Sequence, residues 1–204
     1  MSQLQATVYV VDDAPSVRAG LARLLKSVGL PAKTFASAME FLEQAVAGEP
    51  GCVIVDLRLP AMSGLELQEQ MNARNLDLPV IFLTAFGTVP ASVRAMKRGA
   101  LDFLEKPVDD QVLLDAVSQA METDRENRLK QAEVKAIRDL LASLTPREFE
   151  VLTLIITGMI NKQVAHELGT AEKTIKVHRA RILEKMNCDS LAQLVRLAEK
   201  AGIR

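Results

Sequence analysis

The chain contains no tryptophan, and its aromatic content is only 3%. Proteins that hold single-stranded nucleic acid stack its bases on aromatic rings, so this scarcity argues against that class. Two cysteines, Cys52 and Cys188, stand far apart with neither zinc nor disulfide spacing. No apolar run approaches the roughly 18 residues of a membrane span. The first eleven residues lack the basic region and cleavage site of a secretory leader. These absences lead to the expectation of a soluble protein in a reducing cytoplasm, with no membrane partner.

What is present is an ordinary globular composition, 49% hydrophobic and 25% charged over 204 residues, enough for one large domain or two small ones. The net charge of −1 conceals a division. Residues 1–121 hold 14 acidic and 10 basic side chains, residues 122–144 hold 5 of each, and residues 145–204 hold 7 acidic against 10 basic. An acidic front and a basic tail suggest two domains, the second a candidate for a polyanion.

The front alternates strand and helix five times. Thr7–Val11 reads as a strand ending in Asp12 and Asp13, and Pro15 opens a helix through Val17, Leu21, Leu24, Leu25 and Val28. Ala32–Phe35 is a strand; Ser37 and Glu40 form a capping box for a helix through Phe41, Leu42, Ala45 and Val46. Val53, Ile54 and Val55 make a strand buried on both faces, and it ends in Asp56. Ser63 and Glu66 cap a helix to about Asn75, and Val80–Leu83 is a strand with Thr84 at its end. A helix from near Pro90 to Arg98 and a strand over Leu101–Leu104 lead into Lys106 and Pro107. The pattern predicts an α/β fold, a (βα)5 doubly wound parallel sheet with helices on both faces, for which the flavodoxin-like order 2-1-3-4-5 is taken as the expected topology.

In such a sheet ligands bind beyond the carboxyl ends of the strands, where strand order reverses. That point lies between the strands ending in Asp12-Asp13 and in Asp56. Each carboxylate taken alone fits a solvated loop or a cap. Three together repel one another unless a cation sits among them, and an all-oxygen set suits Mg²⁺ (or Mn²⁺) better than zinc. Thr84 and Lys106 bring a hydroxyl and an ammonium to the same edge. These are the parts for moving a phosphoryl group onto an aspartate.

With these residues in place, residues 5–121 resemble the receiver domain of bacterial two-component response regulators. The acidic pair matches Asp12 and Asp13, the phosphoacceptor Asp56, the hydroxyl Thr84, and the Lys-Pro pair Lys106-Pro107. The resemblance implies Mg²⁺ on Asp13, Asp56 and the Arg58 carbonyl, with Asp12 acting through water. It also implies a cis Lys106-Pro107 bond, a switch aromatic at Phe103 and phosphorylation by a sensor histidine kinase. Phe86 and Val108 depart from the commoner pattern, which more often has a small or polar residue and Phe.

From Asp109 a helix runs on without Gly or Pro. Between Glu122 and Arg138 about half the residues are charged, and Leu129, Ala132, Ala136 and Leu140 recur at helical spacing. That stripe fits a partner helix or a solvated spacer equally well. Thr145-Pro146-Arg147-Glu148 then opens a run of four short helices, Pro146 to about Thr157, Asn161–Leu168, Ala171 to about Met186 and Ser190 to about Ala201. On the third, Ile175, His178, Ile182 and Met186 share the side facing the bundle. Lys173, Lys176, Val177, Ala180, Arg181 and Glu184 share the other, either a solvated face or the reading face of a helix-turn-helix.

Residues 144–200 resemble the LuxR/FixJ-type four-helix DNA-binding domain. The match lies in Leu144–Glu148, Asn161-Lys162 and Lys173-Thr174-Ile175-Lys176-Val177-His178. By that resemblance Lys176 and Val177 reach base edges, while Lys162, Lys173, Thr174 and Arg179 contact phosphates. The expected organisation is therefore a flavodoxin-like receiver at 1–121, a long helical linker at 122–143, and a small all-α DNA-binding domain at 144–204. The expected function is that of a FixJ-type transcription factor. Phosphorylated on Asp56, it would pair as a homodimer, bind double-stranded DNA and work with RNA polymerase, with no catalysis beyond its own phosphoryl transfer and dephosphorylation. A Mg-dependent aspartyl phosphohydrolase and a phosphorylation-independent DNA-binding module are the rivals.

Overall fold

The computed structural model describes residues 6–203. Residues 1–5 and 204, the outer ends of the two expected domains and part of the stretch read for a leader, lie outside the described residues. The chain divides into two compact units between Asn127 and Arg128.

In the first unit, β1 (Thr7–Val11), β2 (Ala32–Phe35), β3 (Gly51–Val55), β4 (Val80–Thr84) and β5 (Asp102–Glu105) form a parallel sheet in the order β2-β1-β3-β4-β5. Strand alternation sorts the core into two layers. Tyr9, Val11, Val53, Val55, Val80 and Phe82 face one side, under α2 (Ala38–Gln44), α3 (Gly64–Ala73) and α4 (Val89–Lys97). Val8, Val10, Cys52, Ile54, Ile81 and Leu83 face the other, under α1 (Pro15–Ser27) and the start of α5 (Asp110–Ala142). Both faces are covered, which is why β3 and β4 are apolar at nearly every position and buried throughout.

Several boundaries differ from the sequence reading. The helix after Ser37 ends at Gln44, and Val46 is exposed. The expected capping box there is half formed: Ser37 accepts from the Glu40 N–H at 3.2 Å, but the Glu40 carboxylate accepts from Ala36 instead. The box at Ser63 and Glu66 is complete. Thr88 caps α4 in a way the sequence reading missed, its hydroxyl accepting from the Ala91 N–H. The last strand begins at Asp102, one residue later than expected.

The floor of the sheet depends on a glycine. A Cβ at Gly51, where φ is +154°, would lie 2.0 Å from the Thr7 carbonyl oxygen of the adjoining strand. The Gly51 N–H donates to the buried Asp124 carboxylate of α5 at 3.1 Å. Burial first, and Asp124 second, push the neighbouring Cys52 thiol up to about 12. A thiol held so firmly protonated has no redox or nucleophilic use at neutral pH.

The second unit packs α6 (Pro146–Ile156), α7 (Asn161–Glu167), α8 (Glu172–Lys185) and α9 (Leu191–Lys200) around Val151, Leu152, Ile155, Val164, Ile175, Ile182, Met186 and Leu194. Thr145 and Glu148 form the capping box that opens α6. The last turns of α5 contribute Ile137 and Leu141 to this core. Of the stripe at helical spacing, Leu129, Ala132 and Ala136 are exposed, as a partner-helix face or a solvated spacer would both be, and Leu140 packs against this core.

Candidate functional site

The carboxyl ends of β1 and β3 bring Asp12 and Asp56 together, and both are buried. Lys106, just beyond β5, joins them: its Nζ donates to Asp12 Oδ2 at 2.6 Å and to Asp56 Oδ2 at 2.7 Å. Burial alone would lower the Lys106 pKa, but the hydrogen bonds and charges of the two aspartates outweigh it and the net shift is upward. The remaining oxygens hold the loops in place, Asp12 Oδ1 accepting from the Ala14 N–H at 2.9 Å and Asp56 Oδ1 from the Arg58 N–H at 3.0 Å.

Asp13 is different. Its side chain is exposed, while the Arg18 guanidinium donates to the main-chain oxygens of Asp12 and Asp13. Among the described residues no three His, Cys, Asp or Glu side chains converge as a ready metal cluster. The expected trio is thus a buried pair sharing one ammonium, with a third carboxylate at the rim. Two carboxylates against one ammonium leave a net negative, all-oxygen site, and a hard divalent cation fits that donor chemistry.

Thr84 is fully buried at the end of β4, and its Oγ1 accepts from the Phe86 N–H at 3.2 Å. Its own hydroxyl proton remains a donor for this edge of the sheet. Phe103 stacks on Phe82 with centroids 5.8 Å apart, and a Cβ at Gly87 would come within 3.2 Å of its ring. The Lys106-Pro107 bond is cis.

Two features of this edge were not read from the sequence. The Arg58 guanidinium lies over the Phe86 ring, 4.0 Å from its centroid, which gives that half-exposed aromatic a partner. Gly64, at the start of α3, leaves room for the loop that follows β3: a Cβ there would stand 2.4 Å from the Asp56 carbonyl oxygen.

In the second unit α8 separates its faces as its spacing predicts. Ile175, Ile182 and Met186 are fully buried; Lys173, Thr174, Lys176, Val177, Ala180, Arg181 and Glu184 are exposed. His178 is half-buried, with no partner for its Nδ1. Lys162 is exposed on α7, and Lys176 lies 3.6 Å from Glu172 one turn earlier. Arg179 differs from the other candidate contacts: it is half-buried, and its Nη1 donates to Asn161 Oδ1 at 2.7 Å. At the other end of α8, Lys185 Nζ donates to the buried Glu148 carboxylate at 2.6 Å and to the Ser143 carbonyl at 3.1 Å.

Comparison with known proteins finds the same two parts. Residues 8–118 match the response regulator receiver domain, and residues 142–198 match the bacterial regulatory proteins of the luxR family. Nodulation protein W of Bradyrhizobium diazoefficiens is 46% identical, covering 98% of this chain and 88% of its own length. The transcriptional regulatory protein FixJ of Azorhizobium caulinodans is 41% identical over 96% of this chain and 93% of its own. The solved structure of the response regulator StyR is 49% identical, covers 96% of this chain and 99% of its own, and has a TM-score of 0.82.

Proposed function

The chain belongs to the response regulators that join a receiver domain to a LuxR-type DNA-binding domain, and on that premise we propose that Asp56 is the phosphoacceptor of a cytoplasmic transcription factor. The observation that carries this reading is the buried Asp56 carboxylate at the end of an apolar strand, held by Lys106 and paired with Asp12. An Asp56 oxygen attacks the phosphorus of a kinase phosphohistidine, the P–N bond breaks, and the imidazole leaves, taking a proton. The product is an aspartyl phosphate.

Asp12, Asp13, Asp56 and the Arg58 carbonyl would hold Mg²⁺ (or Mn²⁺), which supplies neutralisation of the phosphoryl oxygens when bound. Lys106 follows the added oxygens with its ammonium, and Thr84 offers its hydroxyl proton to one of them. Phe103 would read the position of Thr84. The receiver's chemistry is confined to its own phosphorylation and dephosphorylation.

We take residues 1–121 as receiver, 122–143 as linker and 144–204 as DNA reader. Lys176 and Val177 would address base edges, and Lys162, Lys173 and Thr174 the phosphates. One small basic unit binds duplex weakly at physiological salt, so pairing of receivers as a homodimer is the proposed switch. Joining two readers can raise avidity by about 10²–10⁴. The exposed Val89, Val93 and Met96 of α4 form an apolar stripe for that pairing, flanked by Arg94, Lys97, Asp102 and Asp110. The paired protein would then work with RNA polymerase at a promoter.

Intact-mass measurement with Mg²⁺ and a small phosphodonor, run beside a gel shift, tests the reading. The native chain should gain one phosphoryl mass and bind DNA more tightly, and Asp56→Asn should do neither. Steady turnover of an external phosphate ester would favour the phosphohydrolase instead. DNA binding indifferent to the donor would favour the phosphorylation-independent module.

A further inference from the structure

We propose that Arg179 is a positioning residue: with Asn161 it sets the angle between α7 and the recognition helix α8, rather than serving as a phosphate contact. The inference rests on the DNA-binding reading above and deepens it. Helix periodicity supplies the first argument. Arg179 follows the fully buried Ile175 by four residues and precedes the fully buried Ile182 by three, which places it beside the core-facing stripe of α8. The exposed Lys173, Lys176 and Arg181 lie on the face available to a groove.

The second argument is the partner. A half-buried guanidinium has lost part of its hydration and needs acceptors in return. Asn161 Oδ1 supplies one at 2.7 Å, from the first residue of α7. At the far end of α7, the Leu168 carbonyl accepts from Arg147 Nη2 of α6, also at 2.7 Å. A seven-residue helix has little stability of its own, and α7 buries only Val164 and Ala165. Two arginines from two neighbouring helices therefore grip its ends. The direction in which Lys176 and Val177 point depends on how α8 is set against α7, so the Arg179–Asn161 tie acts on sequence reading without touching a base.

The test uses the full chain with Arg179→Met, Asn161→Leu and the double variant. Without DNA, amide hydrogen exchange across residues 161–168 should quicken in each single variant and quicken no further in the double. Asn161→Asp, which keeps an acceptor oxygen, should exchange as the native chain does. With DNA, the probes are a duplex selected from a random pool by the unmodified chain and a scrambled duplex of the same length. Both single variants should lose about 10-fold in preference for the selected duplex, an energy of about 1.4 kcal/mol, with the slope of log affinity against log salt unchanged.

A slope lowered by about one in Arg179→Met, with Asn161→Leu indistinguishable from native, would overturn the proposal and restore the phosphate role. Additive exchange effects in the double variant would also overturn it. If the unmodified chain selects no duplex, the DNA-binding reading fails, and the exchange cycle still decides whether the tie holds α7.

Discussion

Replacing Lys106 with methionine removes the charge that allows two carboxylates to share a buried site while keeping most of the side chain's bulk. The hydrogen bonds of 2.6 and 2.7 Å limit the separation of Asp12 Oδ2 and Asp56 Oδ2 to about 5.3 Å. Two unit charges at that distance repel by about 3 kcal/mol at an effective dielectric constant near 20. Loss of one partner from a buried ion pair costs about 3–5 kcal/mol in other proteins, so Lys106→Met should destabilise the receiver by a similar amount. The Lys106 pKa is raised on folding, so its contribution is fully present below the ordinary lysine value. It is lost only as pH rises through the still higher folded value, and the deficit should therefore be unchanged between pH 6 and 9. Urea unfolding followed by far-UV circular dichroism at three pH values measures it. Millimolar Mg²⁺ should restore more stability to Lys106→Met than to the native chain, because in the native chain Lys106 already offsets part of the repulsion that a cation relieves. A loss below about 1 kcal/mol, or equal stabilisation of both proteins by Mg²⁺, would refute the view that Lys106 holds the pair together.

Four further outcomes follow from the geometry. Gly64→Ala should cost about 1–3 kcal/mol by overpacking and slow Asp56 phosphorylation, because its Cβ would meet the Asp56 carbonyl oxygen at 2.4 Å; unfolding curves and phosphoryl-transfer rates check both. Lys176→Ala should cost about 1–3 kcal/mol on the selected duplex and relax preference at one base pair. Lys162→Ala should weaken all duplexes alike and lower the salt slope by about one, and matching specificity profiles for the two would contradict the assignment. Sedimentation at matched concentrations should show pairing only with a phosphodonor, and Val93→Asp on the exposed α4 stripe should abolish it; a monomer that still gains DNA affinity would contradict pairing as the switch.

The sheet was legible because both of its faces are covered. Nearly unbroken apolar runs at Val53–Val55 and Val80–Leu83 have no stable place except between two helical layers, and the residue after each run, Asp56 or Thr84, is a polar side chain at the sheet edge. Helix ends were less legible. Ala45 and Val46 continue the apolar spacing of α2, yet the backbone leaves the helix after Gln44. Thr88 lacks the Glu or Gln three residues on that marks a capping box, so Pro90 drew attention away from it. The candidate site was read as residue types at strand ends, and Asp12, Asp56, Thr84 and Lys106 do gather there. The exposure of Asp13, the stacking of Arg58 on Phe86 and the room left by Gly64 are tertiary facts without a sequence signal. Asp124 illustrates why: it sits in a stretch of mixed charge that reads as solvated, yet its carboxylate is buried on the Gly51 N–H.

The same blindness applies to Glu148, whose place in a capping box reveals nothing of its second role. Its carboxylate takes the Thr145 N–H at 2.9 Å and the Lys185 ammonium at 2.6 Å, and Lys185 also holds the Ser143 carbonyl. One buried carboxylate thereby ties the start of α6 and the segment before it to the last turn of α8. The hydrogen bond from Lys185 first, then those from Thr145, hold Glu148 at about 2 against an ordinary value of 4.5, with burial acting in the opposite direction. A carboxylate depressed on folding contributes stability that is complete above its unfolded pKa and disappears as pH falls through the folded one. The helical unit should therefore lose stability between about pH 4.5 and 2. Lys185→Met removes the largest cause of the shift and a hydrogen bond to a charged group, worth about 1.5–3 kcal/mol at neutral pH. The difference between variant and native should shrink toward zero as Glu148 is protonated in both. Circular dichroism across that range, on the full chain, follows it. A Lys185→Met deficit that persists undiminished at pH 2 would mean that the lysine stabilises α8 through its contact with the Ser143 carbonyl and not through the buried charge.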